Sequence, residues 1–192
     1  MVSLKVHTTR SLQLSKSVLA IGALDGVHRG HQVLIQRARS HANKLGVPLV
    51  VYTFDPPPKV FFKNLLLLTP LSEKINRLKS LGVDHVIVAS FDFNYITRGV
   101  DAFLSEISDI NPLAIYEGHD FKFGKNREGD INTLRERFSV TVIEPVCCNT
   151  GIVISSSRIR NLLVQGSFLQ AEQLLGWSLP GTRAKSVFCM EF

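Results

Sequence analysis

The chain has 192 residues, of which 45% are hydrophobic and 20% charged, values that exclude a disordered polypeptide and make one domain the expectation. A net charge of +6 suits an anionic ligand, but no dense Lys/Arg run tracks a polynucleotide backbone, so nucleic acid is not an expected partner. No unbroken apolar run, Leu65–Leu68 included, is long enough to span a bilayer, so no membrane partner is expected, and Met1–Ser17 has no signal-peptide core. Cys147, Cys148 and Cys189 make neither an even disulfide set nor a Cys-x-x-Cys pair, so reduced thiols in a cytoplasmic protein are expected.

In chain order, the first strand is Val18–Gly22, apolar throughout and therefore expected to be buried on both faces. A helix follows over His31–Leu45. Val33, Leu34, Ala38 and Leu45 share its inner face, and Gly46 stops it. The apolar run Pro48–Phe54 ends at Asp55-Pro-Pro-Pro-Lys59, where three prolines predict an extended loop. Then come a helix at Ser72–Leu81, a strand at His85–Ser90, a helix at Val100–Ile110 and a strand at Leu113–Tyr116. A long polar loop, Glu117–Asp130, precedes a helix at Asn132–Phe138 and a strand at Val140–Val146. Two helices, Ser155–Val164 and Ser167–Leu175, close the series at Gly176. This alternation predicts an α/β fold with a doubly wound, mainly parallel, Rossmann-like sheet. Such sheets bind ligands beyond the carboxyl ends of their strands. The segments Gly22–His31, Asp55–Lys59 and Glu117–Asp130 all begin at such ends.

The segment Gly22-Ala-Leu-Asp-Gly-Val-His-Arg-Gly-His31 has the form of a strand, a glycine-punctuated turn and a helix start. Backbone N–H groups at a helix start are unpaired and the dipole there favours negative charge, so His28 and His31 are expected to meet phosphates. Gly118–Lys125 is not a P-loop, because five residues separate its glycines and Asn126 stands where Ser or Thr is needed. The histidine pair lacks a third metal ligand in the motif itself, so no metal-ligating residue is assigned. His28-Arg-Gly-His31 is the His-x-Gly-His signature of nucleotidyltransferases, and Gly30 lets the backbone close on a phosphate. Near the other end, Ile154-Ser-Ser-Ser-Arg-Ile-Arg160 combines hydroxyls with forked arginine donors. One serine there is accounted for by a helix cap. Ser157 to Arg160 also resembles the second nucleotidyltransferase signature, Ser-x-x-Arg.

Four ordered stretches narrow the resemblance. They are Gly22–His31, Tyr52-Thr-Phe-Asp-Pro-Pro-Pro58, Gly118-His-Asp-Phe-Lys-Phe-Gly-Lys-Asn-Arg-Glu-Gly-Asp130 and Ile154–Arg160. Over roughly residues 14–178 the chain resembles the N-terminal adenylyltransferase domain of the bifunctional prokaryotic FAD synthetases, the riboflavin kinase/FMN adenylyltransferase family. The resemblance implies a nucleotidyltransferase domain over 1–178, transfer of AMP from ATP to FMN to give FAD and pyrophosphate, and assistance by Mg²⁺. It implies catalytic roles for His28, His31, Ser156 and Arg160, with Gly22, Asp25, Gly26, Gly30, Ser157 and Arg158 also around ATP. On the FMN side it implies Thr53, Phe54, Asp120, Phe123, Asn126, Arg127 and Asp130. Lys125 and Arg127 offer cations for the FMN phosphate, whereas ordinary packing under a long loop equally accounts for Phe121 and Phe123. The family usually has Phe at Leu24 and His at Pro57. This motivates one alternative, another phosphorylated acceptor; a second is a flavin- or nucleotide-binding module inactive once separated from the family's kinase domain. Residues 179–192 form an unmatched tail where the family continues into its riboflavin kinase domain, so no kinase activity is expected. Oligomeric state is not expressed in the sequence.

Overall fold

The computed structural model describes residues 4–179. Strand β2 (Ser17–Ile21) is buried along its whole length. It lies near the middle of a six-stranded, all-parallel sheet that also contains β1 (Lys5–Thr8), β3 (Leu49–Asp55), β4 (His85–Ser90), β5 (Pro112–Gly118) and β8 (Val140–Ile143). The spatial order is β1-β4-β3-β2-β5-β8. From β2 the chain steps outward through β3 to β4, then returns to place β5 and β8 on the other side. Strand order therefore reverses between β2 and β5, and the crevice beyond their carboxyl ends is the expected ligand site.

Side-chain alternation along β2 divides the core. Val18 and Ala20 pack with Leu34, Ile35, Ala38 and Ala42 of α1 (Arg29–Leu45) and with Leu78 of α3 (Leu71–Ser80). Leu19 and Ile21 face Phe103, Leu104 and Ile107 of α5 (Val100–Ser108) and Leu134 of α6 (Ile131–Arg135). A smaller cluster joins α7 (Ser156–Val164) and α8 (Phe168–Leu175) through Ile159, Ala171, Leu174 and Leu175. The doubly wound parallel sheet agrees with the sequence expectation.

The differences are local. β1 is absent from the sequence expectation, because Lys5–Thr8 is an edge strand with only His7 partly buried, and its polar pattern reads as a lead. The proline run does not remain extended: Pro57 precedes α2 (Pro58–Lys63), whose first residue is itself a proline. Proline suits that position because its missing N–H would have no helical partner there. A single turn, α4 (Phe93–Ile96), starts where the Asp92 carboxylate accepts from the Tyr95 N–H at 2.8 Å. The polar loop after β5 is partly ordered as an antiparallel pair, β6 (Lys122–Phe123) and β7 (Gly129–Asp130), linked by a 3₁₀ turn at Lys125–Arg127. β8 ends at Ile143 rather than Val146. Trp177, just past α8, packs against the core and donates Nε1–H to the Val27 carbonyl at 2.8 Å. The expected tail falls almost wholly on residues 180–192, outside the described residues.

The β6–β7 pair depends on a close approach. A Cβ at Gly129 would lie 2.6 Å from two carbons of the Phe123 ring, and that ring packs on Phe103 with centroids 4.8 Å apart. Gly129→Ala is expected to lower unfolding free energy by about 1–3 kcal/mol, the usual cost of overpacking, as measured by urea denaturation.

Candidate active site

Each carbonyl from Ala23 to His28 accepts a hydrogen bond. Thr53 Oγ1 and Lys74 Nζ donate to Ala23 at 3.2 and 3.1 Å, and the Val27 N–H turns back to Leu24 at 3.1 Å. Ser156 Oγ donates to Asp25 at 2.9 Å, and Arg77 Nη1 to Gly26 at 3.0 Å. Gln32 and Trp177 both donate to Val27 at 2.8 Å, and the Gln32 N–H closes on His28 at 3.0 Å. With these negative ends of the peptide dipoles paired, the loop and the adjoining helix start favour an anion. Leu24 and Val27 adopt φ of 49° and 41°, a left-handed conformation that costs free energy in residues with a Cβ and is held here by those contacts.

The two histidines are stacked, with ring centroids 3.6 Å apart. His28 precedes α1, and its Nδ1 accepts from the His31 N–H at 3.4 Å. Burial pushes the His28 pKa down to about 4. Burial, and then the charges of His28 and Lys74, hold His31 well below the ordinary histidine range. Both rings are therefore neutral at pH 7 in the free protein, and His31 Nδ1 is buried with no partner among the described residues. A Cβ on Gly30 would come within 3.1 Å of the His28 ring, so this glycine makes room for that ring.

Arg160 links the two motifs. It is 6% exposed; its Nη2 meets the Asp25 carboxylate, its Nε donates to the Leu66 carbonyl at 2.7 Å, and its buried Nη1 has no partner among the described residues. Asp25 also accepts from the Leu68 and Thr69 N–H groups at 3.1 and 3.3 Å. Burial raises its pKa, while Arg160 and those N–H groups act in the opposite sense. Ser155, rather than Ser156 or Ser157, caps α7, accepting from the Arg158 N–H at 3.2 Å. Ser157 is exposed. Arg158 is directed to the neighbouring turn, donating to the Ile152 carbonyl at 3.1 Å and the Cys148 sulfur at 3.2 Å. Gly22 and Gly26 are tied through their N–H groups, to the Tyr52 carbonyl at 3.0 Å and the Thr69 hydroxyl at 2.8 Å.

Lys74 is a site residue that sequence reasoning missed. It is fully buried on α3, with Nζ bridging the carbonyls of Ala23 at 3.1 Å and Phe54 at 2.9 Å. It thus ties the loop after β2 to the end of β3, and its proximity to Asp25 and Asp55 partly offsets the burial that lowers its pKa. Nothing local marks it, since one lysine on an amphipathic helix reads as a solvated residue.

On the expected acceptor side, Thr53 is buried against Ala23, and Phe54 packs edge-on against Tyr52, Phe91 and Tyr95. Phe123 is buried in the core and stacks on Phe121. Asp120, Asn126 and Arg127 are exposed, the last two at φ of 55° and 61° on the turn of the β6–β7 pair. Asp130 caps α6, accepting from the Asn132 and Thr133 N–H groups at 2.9 and 3.2 Å, and pairs with Lys122 at 3.1 Å. These bonds hold its pKa below the ordinary carboxylate range. Among the described residues no group of three or more His, Cys, Asp or Glu side chains is placed to hold a metal ion.

This architecture is that of a nucleotidyltransferase-like α/β domain, with the candidate site at the strand-order reversal. Residues 11–158 match the FAD synthetase family, and the chain belongs to it. It is 48% identical over 177 residues to a putative bifunctional riboflavin kinase/FMN adenylyltransferase of Geobacillus thermodenitrificans, covering 92% of this chain and 99% of the relative. Identity is 33% to the bifunctional riboflavin kinase/FMN adenylyltransferase of Escherichia coli K12, covering 89% of this chain but only 58% of the relative. Against an FAD synthetase of Listeria monocytogenes it is 34%, covering 86% and 71%. Among solved structures, a macrolide-efflux protein from Streptococcus pneumoniae superposes with a TM-score of 0.79 at 28% identity, over 92% of this chain and 62% of that one. A pantoate-beta-alanine ligase from Francisella tularensis shares the fold at a TM-score of 0.52 and 14% identity, over 90% and 86%.

Neutral, buried histidines have a measurable consequence. Between pH 6.5 and about 4 the unfolded chain binds protons at His28 that the folded chain does not, so this contribution to stability falls as pH drops through that window. Histidine titration by NMR is expected to place the His28 midpoint near 4 in the free protein, and saturating pyrophosphate is expected to move it upward.

Proposed function

We infer that the chain transfers AMP from ATP to FMN, forming FAD and pyrophosphate. In this reading an oxygen of the FMN phosphate attacks the α-phosphorus of ATP. The bond from that phosphorus to the α,β-bridging oxygen breaks, and the electron pair leaves with pyrophosphate. The phosphate oxygen is already ionised, so no general base is required, and catalysis rests on positioning and charge stabilisation. The observation that carries the reading is the arrangement of paired carbonyls, stacked histidines and buried Arg160 around one helix start, in a chain of the FAD synthetase family.

His31 Nδ1 and Arg160 Nη1 are buried nitrogens lacking partners among the described residues, and we assign them to the phosphates. His28, whose Nδ1 accepts from the His31 N–H, stabilises the negative charge that develops on the leaving pyrophosphate by donating from its other ring nitrogen. Ser156 and Asp25 hold the second motif against the first, with Gly22, Gly26 and Gly30 shaping the loop between them. Ser157 and Arg158 lie in the first turn of α7, behind Ser156, and belong to the ATP side in this reading. Thr53, Phe54, Asp120, Phe123, Asn126, Arg127 and Asp130 surround FMN, the aromatic groups meeting its ring and Arg127 its phosphate. Mg²⁺ fits this site as a companion of ATP rather than as a resident ion. Asp25, the carboxylate within the Ala23–His28 loop, is already bonded to Arg160, Leu68 and Thr69. Bound with ATP, the ion would neutralise charge on the triphosphate oxygens.

Leu24 is 1% exposed and packs in the α1-side core, and Pro57 is buried ahead of α2. Neither side chain supplies a reason for a different acceptor. The chain spans little more than half of the longer curated relatives, and riboflavin kinase activity is not part of this reading. No described helix is long and apolar enough to cross a membrane, and we place the enzyme in the cytoplasm with small-molecule partners only.

Incubation with FMN, ATP and Mg²⁺ is expected to yield FAD, detected chromatographically. His28→Ala/His31→Ala is expected to reduce the rate about 100-fold or more, the usual effect of losing transition-state donors. No FAD above that control would overturn the reading.

A further inference from the structure

Four buried side-chain atoms lack a hydrogen-bond partner among the described residues: His31 Nδ1, Arg160 Nη1, Arg39 Nε and Glu117 Oε1. The first two belong to the phosphate side. Arg39 lies away from the crevice, where its Nη1 bonds Gly82 and Asp84 and its Nη2 the Val47 carbonyl. Glu117 remains, and the reaction above does not use it.

Glu117 is 1% exposed and sits at the carboxyl end of β5, opposite Val142 of β8, with β2 on the other side. It therefore stands where the strand order reverses. Two residues earlier, Ile115 packs in the cluster containing Ile21, Phe54 and Phe123, while Tyr116 packs in the α1-side cluster. Alternation along the strand puts Glu117 on the Ile115 face, one step nearer the crevice, on the side of Phe54 and Phe123. Burial drives its pKa well up and the Asp120 charge adds to this, against one opposing N–H from Gly118, so the site favours the neutral acid over the carboxylate.

A neutral carboxyl presents an O–H donor beside a carbonyl acceptor. A second anion is a poor match for it, and an aliphatic surface would leave it unpaired, at a cost. A cyclic imide, with N–H next to C=O, matches both positions at once. The isoalloxazine ring of FMN has such an edge at N3.

We propose that Glu117 is a specificity-determining residue of the acceptor site, whose carboxyl reads the imide edge of the acceptor's ring. The proposal rests on the FMN reading and adds which part of the flavin is recognised. A glutamine side chain is the closest mimic of the neutral acid, since its amide also carries a donor beside an acceptor, so Glu117→Gln is the conservative variant.

Flavin fluorescence titrations with FMN and N3-methyl-FMN test this on the wild type, Glu117→Gln and Glu117→Leu. The wild type is expected to bind FMN at least about 10-fold more tightly than the N3-methyl compound, as expected when one polar contact is blocked. Glu117→Gln is expected to keep most of that preference. Glu117→Leu is expected to bind both compounds weakly and equally, with the KM for ATP unchanged. A wild type that does not distinguish the two flavins, or a Leu variant that still does, would overturn the proposal. If Glu117→Leu fails to fold, the wild type and Glu117→Gln decide alone: loss of the preference in Glu117→Gln, or its absence in the wild type, counts against Glu117. FAD formation without flavin discrimination would defeat only this inference, whereas no flavin binding and no FAD would defeat the FMN reading as well.

Discussion

The pairing of every carbonyl from Ala23 to His28 is the constraint on which the candidate site depends. A turn that left those oxygens facing the crevice would repel a triphosphate. Apart from the loop's own Val27 N–H, their donors come from β3, α3, α7, the start of α1 and the segment after α8. No single neighbouring element could supply them all. The fold thus serves the loop by bringing distant N–H and O–H groups to one strand end, and the positive φ values at Leu24 and Val27 persist because so many contacts hold them.

The same economy appears in the charges. Asp25 and Arg160 are 135 residues apart in sequence and meet in the interior, so the loop cannot take its shape without the second motif in place. Burying that pair carries a desolvation penalty, which the Leu68 and Thr69 N–H groups and the Leu66 carbonyl help to offset. Lys74 adds a further buried cation, fixed by two carbonyls at the ends of β2 and β3. Dry, neutral imidazoles beside such groups act in the free state as hydrogen-bond partners rather than as cations. An arriving anion is then what favours their protonation.

Much of this was legible in the sequence because it is periodic or local. The apolar run of β2, most of the amphipathic spacing of α1 and the glycine stops at Gly46 and Gly176 each follow from a rule spanning a few residues, although Leu45, expected on the inner face of α1, is exposed at the helix end. The parallel sheet and the position of the crevice follow from strand–helix alternation alone. What was illegible is non-local. Lys74, Trp177 and Glu117 gain their meaning only from partners or neighbours on other elements. Proline at the start of α2 misled for a different reason: the residue that breaks a helix interior is well suited to its first turn. Leu24 lies inside the motif, yet its side chain belongs to the core.

A crystal structure with an ATP analogue whose α,β bridge resists cleavage tests the central claim most directly. The account predicts the triphosphate seated on the Ala23–His28 loop, with phosphate oxygens in hydrogen-bond contact with His31 Nδ1 and Arg160 Nη1. A triphosphate bound elsewhere, with those two nitrogens still unpaired, would contradict it.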